Sequence, residues 1–481
     1  MILPQPSVSA QPQLLTPMRM RAQGAATRQP ATLERFLEWH VKEHFDLVGQ
    51  LAGIQDGRKS AKVPLPTMML AVLVMFWVKV PSLRQLDERL RANEGLRALL
   101  KNHTGYGFAF CDDTVRDAFA VAEWRSLHAL LHLQGQRGIK QWGAKYWKDS
   151  ELARRLRAIH AQALASKVVI AIDGHEHFCS YETVCDLCRE RKLKKGKETV
   201  IERYHTVVVA HWVGSHPSLA LDIEFVKPGE GELTAAKRLL ARIGKVYGEA
   251  IGIVLADALY DNQPMRELAR KLNYNLVVSH RDERREPGRS GERALDRMDP
   301  KREHPHQFYE TDKHRYECWE VDLGGGWRYV ESLRYQMKSV VITDKEGNKR
   351  VKRQIDAAAT VHKAALITDL TPERASAVAV AMLFETRWWV ENTAFHELSG
   401  EWKFDRIYVH DGKADAVRMM TLLALLAFNA MQVYVYRHLM RQPGAAHQCL
   451  LDYREDMRDT LILCGQPPRP RLLVIQGGRG P

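Results

Sequence analysis

Hydrophobic positions in the first third of the chain recur every three or four residues, the spacing that places side chains on one face of an α-helix. The pattern is clear in LERFLEWHVKEHFDLVGQLAG (33–53) and in PSLRQLDERLRANEGLRALL (81–100). We therefore predict a helical region over residues 32–148. The preceding residues 1–31 are rich in Gln, Pro and Ala without a continuous apolar segment, and they are predicted to be a disordered tail.

After residue 166 the pattern changes to short apolar runs rich in Val, Ile and Ala, which are typical of buried β-strands. Three strands are predicted in succession, followed by a helix, a strand, a helix and a last strand: 167–178, 203–213, 218–226, 232–248, 250–261, 262–273 and 274–280. This order makes a mixed α/β sheet that resembles a ribonuclease H-like core. We assign the core to residues 166–281 and 370–412.

Residues 282–369, between the two parts of the core, are polar and basic and form a predicted β-rich insertion. Its apparent strands lie at 314–323, 327–336 and 338–354. The last one has basic residues on both sides of an EGN turn, which predicts a two-stranded ribbon that follows DNA. An exposed edge strand that uses lysine to prevent aggregation explains the same pattern. The candidate DNA contacts here are Lys349, Arg350, Lys352 and Arg353, together with Trp327, whose ring could stack on a base or pack in the core.

Two apolar runs raise the question of a membrane. The run at 63–81 has about a dozen uninterrupted apolar residues, short of the roughly 20 that a spanning helix needs. The run at 419–440 is longer but contains polar Thr, Asn and Gln residues. We interpret both as buried helices. Residues 413–440 are assigned to a C-terminal core helix and 441–481 to a basic tail, and a cytoplasmic protein without a membrane partner is predicted.

The charge balance narrows the choice of partner. Among 481 residues, 71 Lys and Arg outnumber 58 Asp and Glu, giving a net charge of +13 and a pI near 9.3. This excess favours a polyanion such as nucleic acid. Two basic segments supply candidate phosphate contacts: Arg58, Lys59 and Lys62 in the turn at 56–62, and Lys194 and Lys195 in the run at 189–197. A solvated surface has the same composition.

The cysteines indicate a separate site. There are seven of them without a secretion signal, which indicates reduced thiols rather than disulfides. Cys185 and Cys188 have the CxxC spacing of zinc ligands, and Cys179 and His205 are near enough in sequence to complete a candidate zinc site. Because one CxxC pair is weak support, thiols without a metal remain the alternative.

Two acids follow predicted strands. Asp173 comes after VVIAI, and Asp257 comes after GIVLA. Open α/β sheets gather their chemistry at strand ends, so both carboxylates are candidate metal ligands. Each could instead cap the turn that follows its strand.

A third acid lies in FETRWWVENTAFHEL (384–398), where spacings of three and four predict one helix face. On that face, Arg387 and Glu391 lie between apolar residues, and an intrahelical ion pair would explain them alone. Beside two other acids, however, Glu391 completes the three carboxylates that can hold two divalent cations, Mg²⁺ or Mn²⁺, for phosphoryl transfer.

The three acids, the RWWVE motif and the order of elements together resemble the DDE transposases of bacterial insertion sequences. The likeness is to the insertion-sequence-four superfamily in particular, and it covers about residues 64–440. It implies metal-dependent hydrolysis of the 3' strand at each element end and transfer of the freed 3'-hydroxyl to target DNA. Asp173, Asp257 and Glu391 would bind the metal ions, and Arg387 would contact a phosphate or orient Glu391.

The resemblance also implies partners. These are double-stranded DNA with terminal inverted repeats, target DNA, and a second copy of the chain in a synaptic complex, all at the bacterial nucleoid. The helical region would then be a DNA-binding domain.

This chain departs from the superfamily pattern around the last acid. Phe384 stands where the family has Tyr, and Leu398 stands where it has Lys. Lys403 or Arg406 could supply the missing phosphate contact from the turns that follow.

Two other functions fit parts of the sequence. A transposase-derived protein that only binds DNA would keep the fold and the charge. A zinc hydrolase could use His175 and His177 with Asp173 or Asp257, but it would leave the basic charge and the insertion unexplained.

Overall fold

The N-terminal region is helical, as the hydrophobic periodicity predicts. The computed structural model describes residues 32–143, 150–159, 161, 164, 167–181, 184–196, 198–214, 217–281, 286–343, 349–388, 396–406, 408–410, 412–437, 453–455 and 457–459. The predicted tails at 1–31 and, almost entirely, 441–481 lie outside these residues. The first helices are α1 (Leu33–Leu37), α2 (Leu47–Ala52), α3 (Leu65–Trp77), α4 (Leu83–Ala92), α5 (Glu94–Thr104), α6 (Asp112–Phe119), α7 (Trp124–Gly138) and α8 (Glu151–Ala158), with π-helical turns at Glu38–His44 and Ile139–Gly143. Polar side chains start several of them: Ser82 accepts a hydrogen bond from the Gln85 amide, and Asn93 from the Leu96 amide.

The core sheet has the predicted ribonuclease H-like topology. Its elements are β1 (Val168–Ser180), β2 (Arg189–Lys195), β3 (Glu198–Trp212), β4 (Ala220–Phe225), α9 (Glu232–Tyr247), β5 (Ile251–Ala256), α10 (Gln263–Lys271) and β6 (Asn275–Ser279). The strands lie in the order β4–β3–β1–β5–β6. β3 is antiparallel to β1 and β4, whereas β1, β5 and β6 are parallel to one another. β2 also lies on the outer edge of β3, pairing with its first half.

The insertion extends this sheet instead of forming a separate one. It comprises α11 (Gly288–Met298), β7 (Gln307–Glu310), β8 (His314–Gly324), β9 (Trp327–Thr343), β10 (Lys349–Ile355) and β11 (His362–Thr368). β11 pairs antiparallel with β6, and the order continues as β11–β9–β8–β7. The two-stranded ribbon expected over 338–354 is confirmed, because β10 pairs back onto the last residues of β9. The strands expected separately at 327–336 and from 338 onward are one strand of 17 residues.

The chain ends in helices that pack on the core. They are α12 (Ala377–Glu385), α13 (His396–Gly400) and α14 (Asp415–Arg437). By length and composition α14 could cross a membrane, but 94% of its most apolar stretch is buried inside the protein. The Trp77 indole donates a hydrogen bond of 3.0 Å to the Ala427 carbonyl, which joins α3 to α14. One hydrophobic core therefore includes the N-terminal helices, α14 and one face of the sheet.

Alternation along the strands separates two cores. Ala171 and Leu255 face the core shared with the N-terminal helices and α14. Their neighbours Ile172 and Ala256 face the opposite core, which α9 and α10 cover. Any polar residue that follows Ile172 or Ala256 therefore points towards the side of α12 and α14.

The helix expected over 384–398 is interrupted at Thr386 and Arg387, while Trp388 and the described residues from 396 to 400 are again helical. α12 ends at Glu385, and the amides of Thr386 and Arg387 donate to carbonyls three residues earlier, as in a tight final turn. The hydroxyl of Thr386 also donates to the Leu383 carbonyl, 2.7 Å away. This local competition by a threonine hydroxyl ends the helix, and residues 389–395 lie outside those described.

Candidate active site

Asp173 and Asp257 lie side by side at one edge of the parallel strands. The last residues paired between β1 and β5 are Ile172 and Ala256. Each aspartate is the next residue on its strand, and neighbouring strands are about 4.8 Å apart. The strand pattern of the sequence thus correctly located two acids that the fold brings together. Separations of this order allow two carboxylates to share or bridge divalent cations.

The two aspartates differ in their local hydrogen bonds. Asp257 accepts a hydrogen bond of 2.8 Å from the Leu259 amide, so it also caps the short 3₁₀ turn after β5. Asp173 accepts one of 2.9 Å from the Gly174 amide. Each side chain uses one oxygen in the contact to its own backbone. Capping and metal binding are therefore compatible here, because a carboxylate has further lone pairs to offer.

Nearby Asp261 is not part of this edge. Its carboxylate accepts a hydrogen bond from Arg266 at 2.6 Å and contacts the His280 ring at 2.9 Å. Its side chain is only 1% exposed. A buried and fully paired acid of this kind serves the structure.

Arg387 is the residue that connects α12 to this edge. Its guanidinium donates to Asp173 Oδ2 over 3.2 Å, and its side chain is only 1% exposed while that of Asp173 is 13% exposed. The guanidinium also lies 5.4 Å from the Phe384 ring and 5.6 Å from the Trp388 ring. The contact with Asp173 is one that the sequence did not suggest, and the predicted pairing of Arg387 with Glu391 falls on a residue outside the described part of the structure.

Among the described residues, Glu232 is a third acid beside Asp173 and Asp257, and the sequence did not single it out. It lies in the first turn of α9, where Tyr260 donates a hydrogen bond of 2.5 Å to its carboxylate. A Cβ added to Gly174 would lie 2.2 Å from this carboxyl group, so the glycine leaves room for it. Burial raises the pKa of Glu232, and the charge of Asp257 raises it further, against the opposing effects of Tyr260 and Arg189. The segment PGEGEL contained the signal, but an acid at a helix start is ordinarily read as a helix-dipole residue.

The third predicted acid, Glu391, lies outside the described residues. The two positions that depart from the superfamily pattern are both apolar and buried: Phe384 is 7% and Leu398 is 0% exposed. They serve the core, which explains why neither carries a polar group. Lys403 and Arg406 are exposed in the segment that follows.

This segment is attached to β1 close to Asp173. His175 contacts Asp405 at 2.8 Å, and the Ser399 hydroxyl donates to Asp405 at 2.6 Å. Burial alone would raise the pKa of Asp405, but the hydrogen bonds from His175 and Ser399 outweigh it and lower the pKa. The contact places the turn that carries Lys403 and Arg406 beside the strand of the first catalytic candidate.

The candidate zinc ligands are only partly brought together. Cys185, Cys188 and His205 cluster, and His410 is the fourth member of the group. Cys179 is exposed on β1 and is not a member. The sequence could not identify His410, because it lies more than 200 residues beyond the CxxC pair.

The remaining DNA-contact candidates differ in how available they are. The exposed ones are Lys59, Lys62, Lys194, Lys195, Lys352 and Arg353. Arg58 is engaged internally by Asp56 and by the Val63 carbonyl, each at 2.7 Å. The Trp327 ring is half-buried, with the guanidinium groups of Arg266 and Arg270 at 5.6 and 5.7 Å. The side chains of Lys349 and Arg350 lie outside the described part of the structure, although their backbone belongs to β10.

The histidines proposed for a zinc hydrolase have structural roles. His177 is buried against Phe404 and contacts the Thr421 hydroxyl at 3.2 Å. Its burial, assisted by His205, lowers its pKa to about 3. Among the described residues, neither His175 nor His177 belongs to a group of three or more potential metal ligands. The geometry therefore gives this alternative no support.

The acidic edge fits divalent cations that prefer oxygen ligands. Asp173 and Asp257 are carboxylates with partial solvent access. The raised pKa of Glu232 reflects negative charge gathered in a partly buried place. Mg²⁺ is bound by such carboxylates together with substrate phosphates and water, without a complete protein cage.

Comparison with known proteins agrees with this arrangement. A family model described as "Transposase DDE domain" matches residues 167–429, from the start of β1 into α14. The match covers more than half of the 481-residue chain and includes all three predicted acids. None of the curated proteins matches the chain. With two acids directly after the last paired residues of the parallel strands β1 and β5 in a ribonuclease H-like sheet, the chain belongs to the family of transposases with a DDE domain, whose substrate is DNA.

Proposed function

We propose that this transposase hydrolyses the 3' strand at each end of its own insertion sequence and transfers the freed 3'-hydroxyl to target DNA. The observation that carries the proposal is the shared register of Asp173 and Asp257, directly after the last paired residues of β1 and β5. Glu391 is added from the resemblance alone. In-line phosphoryl transfer needs acids that hold two divalent cations near the scissile phosphate, and it needs little further covalent chemistry from the protein.

The protein's residues would divide the work as follows. Asp173, Asp257 and Glu391 would bind Mg²⁺ or Mn²⁺, which would activate the attacking oxygen and stabilise the leaving oxygen. Arg387 would orient the Asp173 carboxylate through the 3.2 Å contact. Because Arg387 is almost fully buried, we assign it to positioning an acid and not to holding the DNA backbone.

DNA would be held by exposed basic residues on both sides of the acids. Lys403 and Arg406 follow α13, near the Asp173 strand, through the Asp405–His175 contact. Lys194 and Lys195, which are exposed on β2, and Lys352 and Arg353, which are exposed on β10, would contact DNA at other points along the sheet. If these contacts provide much of the affinity, binding should fall by about 10³-fold or more between 50 and 200 mM salt for six or more phosphates contacted.

Both ends of an element must be cut and joined together, so two copies of the chain would act in one synaptic complex on the nucleoid. The N-terminal helices, which share a core with the sheet, would contribute to binding of the terminal inverted repeats. Lys59 and Lys62, exposed before α3, are the candidate contacts.

The direct test uses duplexes that carry the ends of the cognate element, taken from the DNA that flanks the coding sequence. The wild type should nick the 3' strand with Mg²⁺ or Mn²⁺ and join it to a target plasmid. Asp173→Asn, Asp257→Asn and Glu391→Gln should each keep end binding but lose at least about 10³-fold in cleavage rate, or about 4 kcal/mol of transition-state stabilisation. Asp117→Asn is the matched control, since that side chain is exposed on α6.

Two results would overturn the proposal. Wild-type cleavage by any one of the three variants would remove that acid from the site. Tight end binding by the wild type, without metal-dependent nicking under any condition, would favour the transposase-derived protein that only binds DNA.

A further inference from the structure

Four metal-binding side chains meet in the interior, away from the acidic edge. Cys185 and Cys188 lie in the turn before β2, His205 lies on β3, and His410 lies between α13 and α14. The two cysteines are 7% and 8% exposed, and His205 is 0% exposed. Three separate parts of the chain thus deliver two thiols and two imidazoles to one buried point.

All four ligand atoms lie within 4.8 Å of one another, and four of the six distances between them are close to the edges of a zinc tetrahedron. Cys185 Sγ is 3.7 Å from Cys188 Sγ and 3.2 Å from His205 Nε2. Cys188 Sγ is 3.3 Å from His205 Nε2 and 3.5 Å from His410 Nε2. Zinc bonds of about 2.3 Å to sulfur and 2.0 to 2.1 Å to nitrogen at tetrahedral angles place sulfurs about 3.8 Å apart and sulfur from nitrogen about 3.5 Å apart. A disulfide would instead require about 2.05 Å between the sulfurs.

We propose that Cys185, Cys188, His205 and His410 bind one structural Zn²⁺. Four protein ligands leave no open coordination position, which is the mark of a structural site and not of a catalytic one. Two thiolates and two imidazoles favour zinc over magnesium, calcium or manganese, which prefer oxygen ligands. His410 takes the place that the sequence suggested for Cys179.

The zinc would join the CxxC turn to the segment before α14. The Asp186 amide donates to the Gly412 carbonyl at 2.9 Å, so the backbone already links the same two segments. Ala414 and Val417 pack with the two cysteines and Leu187 in a small apolar cluster. This cluster shields the metal from water, but it is too small to hold two long segments together by itself.

The position of this join matters for the DNA surface. His410 lies four residues after Arg406 and seven after Lys403, while the Asp405–His175 contact holds the other side of the same turn. The zinc would therefore fix the far end of the basic turn relative to β1 and β3. Loss of the metal would loosen Lys403 and Arg406 without touching the acids.

The first experiment measures metal in the wild type. The untagged full-length chain is produced in zinc-supplemented medium, purified without chelator and analysed by inductively coupled plasma mass spectrometry. We expect close to one zinc per chain, because such sites bind tightly. Less than about a tenth of an equivalent, or iron in place of zinc, would overturn the proposal.

The second experiment identifies the ligands. Replacement of zinc by Co²⁺ should give the visible absorption of a tetrahedral site and a thiolate-to-cobalt band in the ultraviolet. Cys188→Ser should weaken that band and His410→Ala should alter the visible absorption, or either variant should lose the metal. Cys179→Ser and Cys111→Ser are the matched controls and should leave the spectrum and the zinc content unchanged.

An effect of Cys179→Ser as large as that of Cys188→Ser, or an unchanged spectrum in His410→Ala, would overturn this ligand set. A variant that does not fold leaves the wild-type zinc content and cobalt spectrum as the deciding measurements. Neither of them requires DNA cleavage, so failure of the proposed transposition chemistry would be distinguishable from failure of the zinc site.

Discussion

The acidic edge and the Cys/His cluster lie on neighbouring parts of one sheet but have opposite physical character. The edge presents carboxylates with partial exposure, next to the guanidinium of Arg387. The cluster includes His205 on β3, which pairs with Phe178, five positions beyond Asp173 on β1. Both of its thiols and the His205 imidazole are buried, and His410 is half-buried. Hard oxygen ligands that stay accessible can exchange their cations and admit a phosphate. Soft ligands enclosed by the protein can only hold a cation in place. The difference separates the chemistry of the site from the stability of its surroundings.

Metal removal should give the largest contrast. Transfer into Mg²⁺-free buffer should abolish cleavage reversibly and lower Tm by less than about 2 °C, because few folding contacts depend on the open site. Prolonged treatment with EDTA, which also extracts zinc, should lower Tm by at least about 10 °C, because structural zinc binding contributes directly to folding. Differential scanning calorimetry and a cleavage assay on the same samples check both. Equal effects of the two treatments on Tm would remove the distinction.

Substitution of Arg387 tests how strongly the acidic edge depends on this buried cation. Arg387→Ala should slow cleavage at saturating Mg²⁺ by about 10²-fold, near 2.7 kcal/mol, because Asp173 loses the donor that orients it. Arg387→Lys should lose about 10-fold, since an ammonium keeps the charge but not the planar contact to the rings on either side. Single-turnover cleavage measures both, with Arg84→Ala as control because Arg84 is 84% exposed. A wild-type rate in Arg387→Ala would contradict the positioning role.

His211 tests whether the core between β3 and α14, where its ring lies 5.7 Å from that of Phe428, excludes charge. It is fully buried on β3, and burial lowers its pKa to about 3. The unfolded chain, with an ordinary histidine pKa near 6.5, binds a proton at pH 5 that the folded chain refuses, so stability falls as pH drops below about 6.5. The lowered pKa of His211 alone should reduce the free energy of unfolding at pH 5 by about 2 kcal/mol.

The free energy of unfolding should fall between pH 7.5 and 5.0 in both proteins, but by about 2 kcal/mol less in His211→Phe than in the wild type. Urea unfolding at the two pH values measures this difference. Other buried histidines, including His40 and His177 with pKa values lowered to about 3 by burial, remain in both proteins and cancel in the difference. Exposed His304→Ala is the control. Identical pH dependence in His211→Phe and the wild type would show that the site admits a proton.

Glu232 should give the smallest effect. Glu232→Gln removes one negative charge near Asp257, so the Mg²⁺ concentration for half-maximal cleavage should rise by about 3- to 10-fold, near 1 kcal/mol. Tyr260→Phe keeps that charge and should change this concentration by less than about twofold. Magnesium titrations of the cleavage rate separate the two. If both variants behave alike, the Tyr260 hydrogen bond and not the charge of Glu232 is what the site uses.

The sequence predicted those features that depend on residues close together in the chain. Asp173 and Asp257 were found because each ends an apolar strand, and the parallel register then had to bring them together. The CxxC pair was found because its two ligands are neighbours in sequence. The fold class was confirmed for the same reason, since strand and helix periodicities are local.

Contacts that only folding creates were missed. His410 is delivered to the cysteines by the packing of α14, and no local pattern marks it. Glu232 looks like an ordinary first-turn acid until Gly174 is seen to leave room for its carboxylate. The contact of Arg387 with Asp173 was missed as well, because periodicity relates Arg387 only to residues of its own helix, whereas Asp173 lies more than 200 residues earlier in the chain.

The pairing of β11 with β6 has a consequence for how this chain can change over time. The insertion leaves the sheet after one strand and returns on the strand beside it, so its length is not constrained by the distance between its ends. The outer half of β9, from Met337 to Thr343, pairs with β10, while β11 holds the inner half. Residues can therefore be added to or lost from the β9–β10 arm without shifting either aspartate. Related chains are free to diverge there in length and in the DNA they contact, while the distance between their catalytic strands stays the same.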